Sequence, residues 1–418
     1  MKLHFFFIGI VFVACTLLCV GCKQNNTAEP NQTLASWQPG YLDIHQISTG
    51  RGESAFLILP DSTTLLIDAG DLGDTTVFKQ TIMPARPNDL KRPAERIAQY
   101  IRHFYPAIDQ QAGIDFAMLT HFDTDHIGKA DTTAIEAGLP YKLTGIAHVE
   151  KLLGIQTLID RGYPDYDYPS KEKMEAFKAL NNYRKFIAVR DQAGKRTEKF
   201  EVGSNQQMRL LNHPESYPEF EIRNVVGNGE VWTGEGNGKR LGQLVEHYRG
   251  ENSASCGVRI RYGHFDYLTC GDIQGKPLDK YPSTMEKEVA PVVQNMDVVL
   301  ANHHAYKDAM FEPFIQSTRP RVFIIPVWDF YHPEVEPLAR MLDTNLYPDE
   351  RLLFATGLVD CNQERLGENR KQIQPTGHIV TRVYEGGKQF QIFVLDDCSD
   401  NYEIIYQTER FNSSWNNN

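Results

Sequence analysis

Two histidines and two aspartates lie close together in the segment MLTHFDTDHIGK, residues 118–129. They are His121, Asp123, Asp125 and His126. The polar face of a helix repeats about every 3.6 residues and that of a strand about every 2, and neither period accounts for this cluster. Imidazole nitrogens and carboxylate oxygens are ligands that suit Zn²⁺, Mn²⁺ or Fe²⁺. The cluster therefore predicts a metal site.

An apolar run, IDFAMLT at residues 114–120, ends just before the cluster and predicts a buried strand. Loops that follow strands are where α/β folds place their chemistry. One short loop with four ligands serves two ions only if it folds back and later loops supply further ligands. The stretches PAERIAQYIRHFYPAI, residues 93–108, and KEKMEAFKALNNYRKFIAV, residues 171–189, each predict a helix. Strands that alternate with helices indicate an α/β layered fold.

The segment 121–126, called the metal loop below, reads HFDTDH. It resembles the H-x-H-x-D-H motif of the metallo-β-lactamase superfamily, with Asp123 in place of the second histidine. That replacement is similar to the one in the hydrolase domain of ComEC-like competence proteins. Further segments resemble this branch in the same order: STGRGESAFLILPDSTTLLIDAGD at 48–71, ENSASCGVRIRYGHFDYLTCGDI at 251–273, VVLANHHAYKDA at 298–309 and FYHPEVEPLARML at 330–342. Ala305 departs from the pattern, since glycine is usual there. The resemblance covers roughly residues 41–345, interrupted by the segment 150–250.

The resemblance implies a four-layer αββα metallo-β-lactamase sandwich that binds one or two ions of Zn²⁺ or Mn²⁺. It implies these metal ligands: His121, Asp123, Asp125, His126, Asp272 as a bridging carboxylate, and His303 as the distal histidine. Asp68 is implied as a supporting aspartate near the metal loop. Asp125 is also expected to orient a water and take its proton, and His304 to meet the leaving group or donate a hydrogen bond from outside the ligand set. His332 is expected to bind substrate, with packing at a helix start as the alternative.

One expected ligand is missing from the sequence. Many members of the superfamily have a further histidine between the first cluster and the bridging aspartate, and Asn252 or Ser253 stands near that place. Because asparagine is a weaker, neutral ligand, one ion is expected to bind loosely or only with substrate. Oxygen-rich ligation by Asp123, Asp125 and Asp272 favours Mn²⁺ or a Zn²⁺ pair.

The leading function is hydrolysis of phosphodiester bonds by metal-activated water, in a nucleic acid or another anionic, nucleotide-like substrate. This expectation comes from the ComEC-like resemblance. Two alternatives stay open at this point. One is hydrolysis of a lactone, thioester or amide at the same site, and the other is a lipoprotein binding module with a degenerate, inactive site.

The composition is that of a globular protein, with 41% hydrophobic and 23% charged residues among 418. The net charge of -11 and pI near 5.7 argue against a protein that coats nucleic acid, because such proteins usually present a basic face. They do not exclude a site that holds phosphate through metal ions. None of the four cysteines after the predicted signal segment (Cys256, Cys270, Cys361 and Cys398) forms a CxxC pair, so a zinc-thiolate site is not expected. Cys361 and Cys398 could form a disulfide, but spacing does not fix connectivity.

The N-terminus predicts export. Residues 1–21 have a basic start and an apolar run, as in a signal peptide, and LCVG before Cys22 resembles a bacterial lipoprotein box. Cys19 departs from that box, where leucine is usual; a plain cleaved signal or an uncleaved anchor helix is the alternative. Cys22 is expected to carry a lipid that anchors the protein in the bacterial cell envelope, facing the periplasm or the cell surface.

The predicted domain organisation continues with a polar tether over residues 22–39. A metallo-β-lactamase-like domain follows over residues 40–398, with an insertion at about 150–250 that shapes the site, and then a C-terminal extension over 399–418. The expected partners are the anionic substrate and, through the lipid, the membrane; no protein partner is predicted.

Overall fold

Two mixed β-sheets lie face to face in the computed structural model, which describes residues 32–73, 82–106, 113–130, 136, 138–242, 250–275 and 285–413. The predicted signal peptide and residues 22–31 of the predicted tether, including Cys22, lie outside the described residues. Within the described ranges, no helix has both the length and the apolar character needed to cross a bilayer.

The first sheet has the strand order β17-β16-β15-β1-β2-β3-β4-β5-β6, and β18 pairs with β16. Its strands are β1 (Leu42–Gln46), β2 (Ala55–Ile58), β3 (Thr64–Ile67), β4 (Ile114–Met118), β5 (Ile155–Asp160), β6 (Arg196–Lys199), β15 (His378–Val383), β16 (Gln389–Leu395), β17 (Ile404–Gln407) and β18 (Phe411–Asn412). The strands from β3 to β6 run parallel to one another.

The second sheet has the order β14-β13-β12-β11-β10-β7-β8-β9. Its strands are β7 (Phe220–Gly227), β8 (Glu230–Trp232), β9 (Lys239–Leu241), β10 (Gly257–Tyr262), β11 (Phe265–Thr269), β12 (Val298–Leu300), β13 (Val322–Ile325) and β14 (Leu352–Ala355). The strands from β11 to β14 are parallel, so each sheet has a parallel half that follows an antiparallel hairpin.

Helices cover both outer faces. They are α1 (Pro93–Phe104), α2 (Thr124–Ile127), α3 (Gly145–Leu153), α4 (Lys171–Ala176), α5 (Lys178–Gln192), α6 (Met285–Val289), α7 (Glu312–Thr318), α8 (Val335–Leu342) and α9 (Asp360–Leu366). Apolar residues of α1, α3 and α5 pack on the first sheet. Since α7 joins β12 to β13 and α8 joins β13 to β14, these two helices cover the face of the second sheet that is turned away from the first.

The first sheet separates two apolar cores because successive side chains of a strand point to opposite faces. In β3, Leu65 and Ile67 belong to the core between the sheets, whereas Leu66 belongs to the core beneath α1, α3 and α5. In β4, Phe116 and Met118 belong to the core between the sheets and Ala117 to the other. A strand buried on both faces reads as a continuous apolar run, as LLI in β3 and FAM in β4 do. The four-layer αββα sandwich predicted from the sequence is confirmed.

The segments outside the predicted core of the domain also contribute to the sheets. The predicted insertion at 150–250 supplies β5 and β6 to the first sheet and β7 to β9 to the second. Residues 399–413 of the predicted C-terminal extension form β17 and β18. The end of the predicted tether packs on this edge, where Thr33 forms a bridge with Glu403 and Leu34 is buried. Cys361 and Cys398 are not disulfide-bonded, so the disulfide considered above does not form.

Candidate metal centre

The candidate site lies where four parallel strands end, two in each sheet. Asp68 follows β3 and the metal loop follows β4 in the first sheet. Asp272 follows β11 and the pair His303–His304 follows β12 in the second sheet. The carboxyl ends of parallel strands share one edge of a sheet, so the sandwich brings these four loops together.

The metal loop folds back on itself through a single turn of helix. Asp123 precedes α2, and the backbone N–H of His126 donates to the carbonyl of Asp123 at 3.0 Å. The helix ends at Gly128, whose φ of 98° is in the left-handed region that glycine adopts readily. This turn brings the rings of His121 and His126 to a centroid distance of 4.1 Å.

One carboxylate oxygen occupies the centre of the site. Asp272 Oδ2 lies 3.4 Å from Nε2 of His126, 3.5 Å from Nε2 of His304, 3.7 Å from Nε2 of His121 and 3.9 Å from Nε2 of His303. These separations are longer than good hydrogen bonds. Ligand atoms about 2.0–2.1 Å from one tetrahedral ion lie about 3.3 Å from each other, which is close to the shorter of these distances.

Several buried polar atoms of this cluster lack a hydrogen-bond partner among the described residues. They are Nε2 of His121, Nε2 of His126 and Oδ1 of Asp272. Buried polar atoms are nearly always satisfied in folded proteins, so unpartnered donors and acceptors that converge indicate a ligand. Imidazole and carboxylate atoms at these spacings fit a divalent cation.

Asp125 and His304 complete the more buried side of the site. Asp125 Oδ2 lies 3.2 Å from Nε2 of His304 and 3.5 Å from Nε2 of His126. Ligand atoms of His126, Asp272, His304 and a further residue, Glu53, all lie within 4.8 Å of one another. The geometry therefore brings His304, which was expected outside the ligand set, as close to Asp272 as the predicted ligands. The role of His303 as the distal ligand stays a prediction.

The other side of the site is more open. Asp123 Oδ2 lies 3.5 Å from Nε2 of His121, and the Asp123 side chain is 36% exposed. His303 is also on this side, and its Nε2 lies 3.1 Å from Nδ2 of Asn252. Asn252 thus lies beside the centre, near the place predicted for the missing histidine, and its side chain contacts His303.

Outer carboxylates orient the histidines. Asp68 Oδ2 lies 2.8 Å from Nδ1 of His126 and also accepts from the Thr120 hydroxyl at 2.7 Å. Asp308 Oδ1 lies 2.6 Å from Nδ1 of His303. Such contacts fix the ring orientation and leave Nε2 directed at the site, which is the usual arrangement around metal-binding histidines. Asp68 therefore lies where a supporting aspartate was predicted.

The site stabilises positive charge. Burial by itself lowers the pKa of His304, but the carboxylates of Asp272 and Asp125 outweigh it and raise the pKa to about 10. Burial by itself raises the pKa of Asp272, but the surrounding histidines hold it well below its usual value. Glu53 differs, because burial dominates and raises its pKa to about 7. The negative potential of the ionised carboxylates is what a cation site requires.

His332 lies behind His304 and away from the centre of the cluster. The two rings stack with a centroid distance of 4.6 Å and an interplanar angle of 19°. The His332 side chain is buried, and burial holds its pKa well below the usual value. This placement favours the packing alternative over the predicted contact with substrate.

Two acidic residues of the site were not singled out in the sequence. Glu53 lies 3.6 Å from Nδ1 of His304 through its Oε2. Glu251 accepts from the backbone N–H of Phe122 at 2.7 Å and so holds the metal loop. Glu53 lies in GRGES and Glu251 in ENSAS, two segments that carry the family resemblance. Their position in these segments was the feature of the sequence that could have identified them as site residues.

Comparisons with known proteins add little to this geometry. No family model matches the chain, and no curated protein gives a significant match. CmlA, a diiron beta-hydroxylase from Streptomyces venezuelae, is similar in structure with a TM-score of 0.37 and 12% identity, over 82% of this chain and 54% of that one. A long form RNase Z from yeast has a TM-score of 0.31 and 9% identity, over 70% of this chain and 38% of that one. The chain thus spans about half or less of either protein, and likeness at this level assigns no function.

Proposed function

We propose that the chain is a metal-dependent hydrolase of the metallo-β-lactamase fold that cleaves phosphodiester bonds in an anionic small molecule or a nucleic acid. The observation that carries this proposal is the convergence of four imidazole Nε2 atoms within 3.4–3.9 Å of Asp272 Oδ2. The phosphodiester part rests on the ComEC-like pattern of the site segments.

We assign two groups of ligands that share Asp272. The buried group is Asp125, His126, Asp272 and His304, and the open group is His121, Asp123, Asp272 and His303. The buried group has its ligand atoms closer together, so it is the stronger site. The open group ends in the Asn252 contact and has an exposed carboxylate, so its ion is the more easily lost.

A divalent cation held there supplies a Lewis acid that lowers the pKa of water from about 15.7 towards 7 and polarises a phosphoryl oxygen. Asp125 Oδ2 is assigned to orient the attacking water and to accept its proton. His303 is half-buried on the open side and its Nδ1 is held by Asp308, so its Nε2 is assigned as the ligand that completes the open group. Asp68 is a positioning residue, since it touches His126 and not the substrate.

The oxygen-rich donor set favours phosphoryl chemistry. Three aspartates contribute to the two groups, and hard carboxylate ligands suit Mn²⁺ as well as Zn²⁺. Paired cations about 3.5–4 Å apart are the usual clamp for attacking and leaving oxygens at phosphorus. Acyl hydrolysis at the same groups is the competing outcome that the experiment separates.

The test is hydrolysis by the purified chain after reconstitution with Mn²⁺ or Zn²⁺. Hydrolysis of bis-p-nitrophenyl phosphate is compared with hydrolysis of p-nitrophenyl acetate and of a γ-lactone. The variant Asp125→Asn is compared with Asp115→Asn, which changes a carboxylate that binds Thr64 outside the site. Metal-dependent phosphodiester cleavage that only Asp125→Asn abolishes is the expected result. Turnover of the acyl substrates alone would contradict phosphodiester cleavage and support an acyl hydrolase. A chain that binds no metal would contradict both hydrolases and support a non-catalytic binding module.

We also propose that the protein is exported and held in the bacterial cell envelope by a lipid on Cys22. The support is the signal-like sequence before Cys22 and the polar segment after it. Cys22→Ser is expected to move the protein from the membrane fraction to the soluble fraction of a bacterial lysate, whereas Cys15→Ser is expected to leave it in the membrane. Retention of both variants in the membrane would contradict lipid attachment at Cys22.

A further inference from the structure

A cavity of about 670 Å³ lies directly beside the metal loop. Its wall includes Thr124, which stands between Asp123 and Asp125 at the start of α2. The start of α5 forms another part of the wall. A cavity of this size accommodates a small ligand or part of a larger one. Because Thr124 is flanked in the chain by Asp123 and Asp125, the cavity and the candidate centre share the metal loop.

The charge of the cavity is opposite to that of the whole chain. Four lysines are among the described residues that line it: Lys129, Lys142, Lys178 and Lys185. No carboxylate is among those lining residues, although the chain carries a net charge of -11. Lys142, Lys178 and Lys185 make no ion pair with any described residue. Uncompensated lysines around a concave surface form an anion site.

The periodicity of α5 places two of these lysines on the same face. Lys178, Asn181, Asn182 and Lys185 follow the spacing i, i+3, i+4 and i+7, and all four line the cavity. The opposite face carries Leu180, Tyr183, Phe186 and Ile187, which are buried in the core beneath the first sheet. The polar stripe of α5 is therefore fixed toward the cavity by the packing of its apolar stripe.

The two lysines of α5 are spaced for more than one anionic group. Seven residues of helix separate Lys178 from Lys185, which corresponds to about 10 Å along the axis. Between α4 and α5, Phe177 has ψ of 102° and interrupts the helix predicted over 171–189. Its side chain joins Tyr141 and Pro140 as an apolar part of the wall. Cationic groups beside apolar walls suit a phosphate attached to a ring-bearing group.

We propose that this cavity binds one or two further phosphates of the substrate, which flank the phosphodiester cleaved at the metal centre. The inference rests on the proposed function, and it narrows the substrate class to polyanions with at least two phosphates. A single phosphodiester without a flanking charge would occupy only the metal centre. Lysine ammonium groups act on such a phosphate as point charges that strengthen binding without reading its sequence.

The first experiment measures binding without catalysis. The purified chain is stripped of metal and dialysed, and its affinity is measured for tripolyphosphate by calorimetry and for pentathymidylate by fluorescence anisotropy at several salt concentrations. Lys178→Gln/Lys185→Gln is expected to weaken binding at least tenfold and to reduce the salt slope for pentathymidylate by about 1.4, because each phosphate contact to a single strand contributes about 0.7. Lys388→Gln, an exposed lysine at the β15–β16 turn, is the matched control and is expected to bind as the wild type does.

The two ligands distinguish the sources of phosphate. Binding of both supports a nucleic-acid or nucleotide substrate, and lysine-dependent binding of tripolyphosphate alone supports a small polyanion. Either result supports the cavity as the phosphate site. A wild-type chain that binds neither ligand, or a double variant that binds like Lys388→Gln, would overturn it. Since the substituted lysines are exposed and make no ion pair, misfolding of the variant is not expected to mimic this loss.

The second experiment uses the metal-loaded chain with two substrates. Lys178→Gln/Lys185→Gln is expected to raise KM for a thymidine dinucleotide with a 5′-phosphate about tenfold more than KM for bis-p-nitrophenyl phosphate. Equal changes in both KM values would contradict the inference. If the wild-type chain cleaves neither substrate, the proposed hydrolysis fails, and the binding result still decides the cavity on its own.

Discussion

At the scale of single residues, orientation of the histidines decides whether the cluster can hold an ion. Asp68 has φ of 57°, a left-handed backbone that most side chains avoid, and it uses this bend to contact both Thr120 and His126. The strained turn is thus part of the support of the metal loop. Aspartate and asparagine tolerate this conformation better than other residues, so the two can be exchanged without disturbing the backbone.

Asp68→Asn is expected to weaken metal binding about 10- to 100-fold, which is the usual cost of removing an outer carboxylate from a ligating histidine. The carboxamide would present an N–H group toward Nδ1 of His126 and favour the wrong tautomer. Competition with a chelator of known affinity measures this change. An affinity equal to the wild type would show that Asp68 only shapes the turn.

Sequence reasoning found the local part of the site and missed the part that depends on backbone conformation. The loop 121–126 and Asp272 follow strands with clear apolar runs, so their positions were predictable. The approach of His304 to the centre was not, because His303 and His304 both have positive φ, 43° and 52°, and this rare backbone sets the direction of both rings. Glu53 lies far from His304 along the chain, and the packing of the first sheet against the second brings the two together.

At the scale of elements, the segment 150–250 is tied to the metal loop by a buried ion pair. Arg161, at the end of β5, is fully buried and donates to Glu251, which in turn accepts from the Phe122 backbone. Arg161 also donates to Asn228 after β7. The pair therefore joins elements of both sheets to the loop that carries His121.

Glu251→Gln is expected to destabilise the fold by about 3 kcal/mol, because it leaves the buried Arg161 charge uncompensated. Arg161→Met with Glu251→Gln is expected to cost less than the sum of the two single changes, by roughly 2 kcal/mol. Urea unfolding measures these values. Glu230→Gln, which breaks an exposed pair with Lys239, is the control and is expected to cost less than about 1 kcal/mol. Additive costs would mean that the two residues act independently.

A second buried carboxylate affects the strand that carries the histidine pair. Asp297 precedes β12 and accepts only the Asp266 backbone N–H among the described residues, through Oδ2 at 2.9 Å. Burial raises its pKa to about 8. Because the unfolded chain loses this proton near pH 4 and the folded chain keeps it to about pH 8, the free energy of unfolding falls as pH rises through this interval.

Asp297→Asn is expected to remove this decrease in the free energy of unfolding with rising pH. The variant should gain stability relative to the wild type between pH 5 and pH 8, by at most roughly 1.4 kcal/mol for each pH unit. The carboxamide oxygen can accept the same hydrogen bond, so the local fold is preserved. Urea unfolding at pH 5 and at pH 8 tests this, and a difference that does not change with pH would contradict it.

The break between α4 and α5 shows a limit of periodicity at this scale. The sequence 171–189 predicts one helix, but Phe177 interrupts it and its apolar contacts in the core beneath the first sheet outweigh its helical preference. This tertiary effect turns the start of α5 toward the proposed phosphate cavity. A single unbroken helix would place Lys178 on a different face relative to the metal loop.

At the scale of the whole molecule, the site joins the two sheets. Its ligands come from the ends of β4 in the first sheet and of β11 and β12 in the second, and no disulfide joins the two sheets among the described residues. A cation at Asp272 would therefore bind only when the sandwich is assembled. Binding that is specific to the folded state must raise its stability by mass action.

Metal is accordingly expected to raise Tm. At a concentration one hundred times Kd the stabilisation is about 2.7 kcal/mol, which for a chain of this length corresponds to about 3 °C. Differential scanning fluorimetry of the chelator-treated chain with and without Mn²⁺ or Zn²⁺ measures the shift. Asp272→Asn lacks the charge shared by both ligand groups, so it is expected to show no shift. Equal shifts in the variant and the wild type would mean that the metal binds elsewhere. No shift in either would mean that a metal ion does not help to hold the two sheets together at this edge.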